Sequence, residues 1–182
     1  MLLPDFNKLL FERRSVRKYS DEPISADAVK SIIEAALLAP SSRNTHPCQF
    51  IVVEDKDMLL RLADCKPEGT LPLKSCAMAV CVAVDKNVSS AWVEDASIAA
   101  TYIQLQTAAL GIGSCWVQTR GRTAADGFPS EECIRELLNM PDNLMPLCFI
   151  TLGIGAEAPT PHGEDSLMWE KVHIGSYTDL DE

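Results

Sequence analysis

The chain has no Cys-x-x-Cys pair, no Gly-x-Ser-x-Gly turn and no Gly-x-Gly-x-x-Gly. The first absence removes zinc ribbons and thioredoxin-type redox motifs, the second the nucleophile elbow of α/β-hydrolases, the third the dinucleotide fingerprint. The three histidines, His46, His162 and His173, pair with no cysteine at ligand spacing, so no metal site is expected. Basic residues are scarce, 16 against 26 acidic ones, for a net charge of −10, which argues against a general nucleic-acid binder. The longest apolar run, Cys76 to Val84, is far too short for a membrane-spanning helix. The first residues show no charged region followed by an apolar one, so no signal peptide is expected. Seven cysteines, an odd count, lie mostly in apolar segments and read as reduced, buried thiols of a cytoplasmic protein.

What is present is an ordinary globular composition. The 182 residues are 47% hydrophobic and 23% charged, enough for a single domain with a real core. Pro4 and Asp5 open a short helix through Arg13. Ser25 caps a second helix carrying Val29, Ile32, Ile33, Ala36 and Leu37, which Pro40 stops. Gln49 to Glu54 reads as a strand, Lys56 to Asp64 as a short helix and Cys65 to Lys74 as a loop. Cys76 to Val84 reads as a strand covered on both faces. Ser90 to Leu110 is the longest helix, apolar on most sides and ended by Gly111. Ile112 to Gln118 and Leu147 to Leu152 are further strands. Between them Ser130 caps a helix that ends near Asn139. Val172 to Tyr177 could form a last short strand. Strands and helices interleave irregularly, as in an α+β layered domain.

One segment runs against the acidic balance. Arg13, Arg14, Arg17 and Lys18 fall within six residues, with Ser15 between them. Two readings stand. Cations suit the C-terminal end of a helix dipole, so the run can be a solvated helix end. Guanidinium forks and a hydroxyl on one short segment can equally grip a phosphate. Cys48, beside His46 and Pro47, suggests a thiol nucleophile, but a structural cysteine entering a strand fits as well or better.

The order of segments is more informative than any one of them. Arg13-Arg14-Ser15-Val16-Arg17-Lys18-Tyr19 precedes Ala39-Pro40-Ser41-Ser42-Arg43-Asn44-Thr45-His46-Pro47. Glu94-Asp95-Ala96-Ser97 opens the long helix, Leu110-Gly111-Ile112-Gly113-Ser114-Cys115-Trp116-Val117 follows, and Leu137-Leu138-Asn139-Met140-Pro141 precedes the strand ending Leu152-Gly153. From Phe6 to Tyr177 this series resembles the nitroreductase-like family of FMN-dependent NAD(P)H oxidoreductases.

The resemblance implies a three-layer α+β fold, a mixed central sheet flanked by helices, in an intertwined homodimer. The whole of residues 1–182 would be one FMN-binding domain, with the segment from about 156 reaching onto the partner. It implies FMN held by Arg13, Arg14, Ser15 and Arg17 at the phosphate and ribityl chain, with Arg17 nearer the pyrimidine end. Pro40, Ser41, Ser42 and Asn44 would line the ring from the other subunit. A backbone N–H near Gln118 or Thr119 would face the flavin, and Gly153 and Gly155 would lie near the phosphate. The activity implied is hydride transfer from NAD(P)H to a nitroaromatic, quinone or similar acceptor by a ping-pong route. Rivals are a dehalogenase-like or flavin-fragmenting enzyme and a non-catalytic flavin carrier. No nucleic acid or membrane is implied as a partner. The chain departs from many relatives at His46 and Cys48, where glutamine and tryptophan are common. It also carries no Lys or Arg from Ala156 to Glu170, where many relatives bring cations to the phosphate.

Overall fold

The computed structural model describes residues 5–177. Pro4, expected at the start of the first helix, lies outside them. Helix α1 (Phe6–Glu12) is capped by Asp5, whose side chain accepts from Asn7 N. It ends where Arg13 turns extended. Helix α2 (Ala26–Leu37) starts on the expected Ser25 cap, with Asp27 in its first turn. Strand β1 (Cys48–Val53) and helix α3 (Lys56–Asp64) follow as expected. Helix α4 (Leu71–Ser75) is one short turn inside the segment read as a loop, with Pro72 in its first turn. Then come β2 (Met78–Asp85), α5 (Trp92–Ala109), β3 (Gly113–Gln118), α6 (Ser130–Leu137) and β4 (Leu144–Gly153).

The sheet order is β1-β2-β4-β3, and these strands pair antiparallel. A parallel bridge between Ser15 and Ser114 on the outer edge of β3 makes the sheet mixed there. Strands β2 and β4 are central and buried on both faces, which is why they read as unbroken apolar runs. Alternate side chains serve opposite layers. Val80, Val82, Ile150 and Leu152 meet α2 and α5 through Ile32, Ala96, Ala100 and Ile103. Ala79, Cys81, Ala83 and Phe149 meet Leu59, Leu62, Leu73 and Ile134 of α3, α4 and α6. The result is the expected three layers, helices on both sides of one sheet.

Residues 15–20 dock on the sheet's end. Val16 N donates to Ser114 O at 2.9 Å, and Ser20 N to Ile154 O at 2.8 Å. Tyr19 is buried, with its hydroxyl 2.8 Å from Thr151 Oγ1. Burial drives the Tyr19 phenol far above its ordinary range, so it stays neutral. Glycine permits the approach. A Cβ on Gly153 would stand 2.7 Å from the Tyr19 ring, and one on Gly113 would stand 3.0 Å from Val16.

Within one chain, helix α5 buries one face: Ala96, Ala100 and Ile103 face the sheet, while Ile98 and Tyr102 are exposed. Three expectations are corrected. Ser130 does not cap α6. It is the helix's first residue after Pro129, and its hydroxyl donates to Cys65 O at 2.7 Å. No strand forms over Val172–Tyr177, where a 3-10 turn at Trp169–Lys171 is followed by a bend. The thiols are not all free, because Cys65 at the end of α3 is disulfide-bonded to Cys133 of α6. These two helices share the layer on one sheet face, a proximity that a separation of 68 residues conceals. Denatured protein without reductant is expected to titrate five thiols with a chromogenic disulfide reagent, and seven after reduction. Seven before reduction would show the pair open.

Candidate functional site

The basic run lies on the extended segment between α1 and the sheet end. Arg13, Arg14, Ser15 and Arg17 line one cavity of about 570 Å³, together with Glu157 and His162. A second, of about 340 Å³, is lined by Arg13, Arg14, Gly113, Ser114, Gly155 and Glu157. The two share Arg13, Arg14 and Glu157, so they form one basic recess at the end of the sheet. Arg14 Nη1 donates to the Thr160 carbonyl. Among the described residues, no guanidinium of Arg13, Arg14 or Arg17 pairs with a carboxylate. Three arginines left without acidic partners, in a chain with ten surplus negative charges, make a donor set suited to a phosphate. The recess therefore fits the phosphate end of FMN.

Gly155 lines the recess, and a Cβ there would stand 3.0 Å from Glu157 O. Gly153 lies one layer deeper, buried beneath Tyr19, and its place is set by that packing.

Pro40 and Ser41 line a different hollow, of about 100 Å³, with Cys48, His46 and Asp95 around it, while Ser42 and Asn44 follow in the same loop outside its lining. Backbone strain is concentrated here. Arg43, Asn44 and His46 have φ of 51°, 56° and 45°, a left-handed region costly for any side chain. Several bonds hold the conformation. Ser41 Oγ accepts from His46 N at 2.9 Å, and the His46 ring meets Asn44 Oδ1 at 2.9 Å. Ser42 N donates to Asp95 Oδ1 at 2.6 Å, and Ser89 Oγ to Asp95 Oδ2 at 2.6 Å. Asp95 is thus a buried carboxylate in the first turn of α5 that ties the loop to the helix. The sequence offered a signal for it, an acid at the start of an apolar helix, but gave it no role.

The His46 ring meets Asn44 Oδ1, and no bond joins it to Cys48 among the described residues. Burial, and then the charge of Asp95, push the Cys48 thiol up to about 11. It is a neutral structural cysteine rather than a nucleophile.

Gln118 and Thr119 differ in backbone availability. Thr119 N donates to Leu147 O at 3.2 Å, so its N–H is spent within the sheet. Residues 113 to 118 pair with 153 to 148, and hydrogen-bonded pairs alternate with open ones. Gln118 falls on an open pair, which turns its N–H off the free edge of β3. Its side chain accepts from Trp116 Nε1 at 2.9 Å and donates to Arg120 O at 2.9 Å.

Within one chain, then, the arginine run, Ser15 and Gly155 come together, and Pro40 and Ser41 line a separate hollow. Glu157, like Glu12 and His162, lines the recess without having been singled out by the motif series. Its signal was available only as the acid in Gly155-Ala156-Glu157, just past the last strand.

The Nitroreductase family model matches residues 10–92 and 85–154. A protein of Archaeoglobus fulgidus, provisionally named an NADH dehydrogenase/NAD(P)H nitroreductase, is 38% identical over 152 residues, covering 80% of this chain and 83% of that one. The structure of an FMN-dependent nitroreductase from Clostridium difficile R20291 superposes with a TM-score of 0.91 at 40% identity, covering 93% of this chain and 98% of that one. A shorter match joins the chain to rat iodotyrosine deiodinase 1, at 44% identity over 54 residues, 30% of this chain and 19% of that one.

Asp95→Ala is expected to cost about 2 kcal/mol in urea denaturation, because it strands the buried Ser89 hydroxyl and the half-buried Ser42 N–H. A loss below about 0.5 kcal/mol would show that the loop holds itself. Alkylation of Cys48 in the native protein is expected to be slow at pH 8 and to rise only as pH nears 11. The raised values of Cys48, and of Cys76 and Cys81 at about 12, mean the fold binds protons that the unfolded chain releases. Their contribution is therefore complete below about pH 8.5 and is lost as pH rises towards 11–12, which denaturation midpoints across that range will register.

Proposed function

The chain belongs to the Nitroreductase family, and from that premise we propose that it is an FMN-dependent oxidoreductase drawing hydride from NAD(P)H for a nitroaromatic, quinone or similar small acceptor. The observation that supports the reading is the set of three arginines around one recess, with no carboxylate partner among the described residues. Bound FMN supplies reversible two-electron chemistry, which lets donor and acceptor use one pocket in turn.

The chain's own part is to bind, orient and polarise. Arg13, Arg14 and Ser15 hold the phosphate and ribityl chain. Arg17 sets a cation towards the pyrimidine end, favouring the electron-rich ring. The Gln118 N–H, turned off the sheet edge, donates to the ring without needing a particular side chain. Pro40, Ser41, Ser42 and Asn44 line the ring from a second subunit, which accounts for their separation from the arginine recess within one chain. The homodimer is supported by apolar surface left open, with Ile98 and Tyr102 on α5, Phe6 and Leu10 on α1, and Met168, Trp169 and Ile174 in the C-terminal segment. No side-chain nucleophile is called for, in keeping with the neutral thiols.

The stretch shared with iodotyrosine deiodinase favours a second reading of the acceptor, a halogenated phenol. Purified protein loaded with FMN is expected to bleach on NADH or NADPH and to recover colour with a nitroaromatic or a quinone. Recovery only with a halophenol would favour the second reading, and protein that cannot take up FMN would contradict both. Arg13→Ala is expected to weaken FMN binding by about 2 kcal/mol, measured by flavin fluorescence, as a charge-assisted bond is lost. Unchanged affinity in Arg13→Ala and in Arg17→Ala would leave the run a solvated helix end.

A further inference from the structure

The segment after β4 is strapped across the basic run. Tyr19 bridges Gly155, Ala156 N donates to Lys18 O at 2.9 Å, and His162 N donates to Phe11 O at 2.9 Å. Arg14 reaches the Thr160 carbonyl from the other side. This strap carries Glu157 into the recess, half-buried, where it faces Arg13, Arg14 and Arg17. Glu157 Oε1 accepts from Arg17 N at 2.7 Å. The carboxylate is thus held by the backbone of the basic run, while the guanidiniums around it pair with no carboxylate among the described residues.

We propose that Glu157 is a fixed anion of the phosphate recess that opposes the ligand's phosphate and so lowers the affinity of the site for phosphate-bearing flavin. This rests on the FMN reading above. A carboxylate and a phosphate sharing one small recess repel, and here the repulsion cannot be relieved cheaply. Moving Glu157 away breaks its bond to Arg17 N and leaves that donor without its partner. The strap supplies no lysine or arginine to offset the charge, since none occurs from Ala156 to Glu170. The recess therefore holds its phosphate against a built-in opposing charge. That favours exchange of FMN with the medium over permanent retention.

Glu157→Gln tests this, because the amide oxygen can still accept from Arg17 N while the charge is gone. Affinities for FMN and for riboflavin, which lacks the phosphate, are read by flavin fluorescence in the wild-type and variant proteins at low and high salt. The expected result is FMN binding about tenfold tighter in the variant, riboflavin binding unchanged, and a difference that shrinks in high salt. Equal or weaker FMN binding in a variant that melts like the wild type would overturn the inference and leave Glu157 a backbone anchor. Equal tightening of both flavins would overturn it too, since the effect would not act on the phosphate. If neither protein binds FMN, the FMN reading itself falls and the inference with it. Binding that is present but unaltered in Glu157→Gln removes only the inference.

Discussion

The site depends on one close approach, the docking of residues 15–20 against the ends of β3 and β4. Two glycines make it feasible. Gly113 admits Val16, and Gly153 admits the Tyr19 ring at a distance no Cβ would allow. Backbone bonds from Val16 to Ser114 and from Ser20 to Ile154 then fix the segment's register on the sheet. With Val16 and Tyr19 turned into the core, the intervening side chains must face outward. Arg17 and Lys18, between the buried pair, are exposed, and Ser15 beside them is half-buried. A flexible basic tail could carry the same charges, but a segment locked to a buried sheet carries them in a fixed geometry, which is what recognition of a phosphate needs.

The second fixed point is Asp95. It begins a helix whose inner face is locked to the sheet, and it reaches out to a loop that would otherwise relax. Three left-handed residues in that loop show how much the surrounding bonds hold in place. Strain concentrated in a short polar segment beside an open hollow is what a ligand-lining loop would be expected to show. The outer face of α5, with Ile98 and Tyr102 uncovered, lies on the same helix that Asp95 begins. Loop and open surface are therefore set by a single element, so a second subunit packed on α5 would be positioned relative to the loop as well.

The sequence made the layers legible because the central strands are apolar on both faces and the flanking helices carry clear caps. Ser25 and Gly111 mark real ends. It was less informative where side chains serve distant partners. Ser130 looks like a cap and is instead spent on the Cys65 carbonyl, 65 residues away. The disulfide is hidden for the same reason, and α4 is too short to show a period. Within the site, the arginines were visible as a break in the charge balance. Glu157 was not, because its meaning comes from the strap that folds it back over the run. The choice between Gln118 and Thr119 could not be made from residue types either, since it depends on which pairs of β3 and β4 are hydrogen-bonded.

The central claim is that the recess between α1 and the sheet end is the phosphate pole of a flavin site completed by a second copy of the chain. A crystal structure of the protein with FMN tests it most directly. The account predicts the phosphate against Arg13, Arg14 and Ser15, and the ring against Gln118 of the same chain and the Pro40–Asn44 loop of its partner. A flavin seated elsewhere, or one enclosed wholly by a single chain, would contradict it.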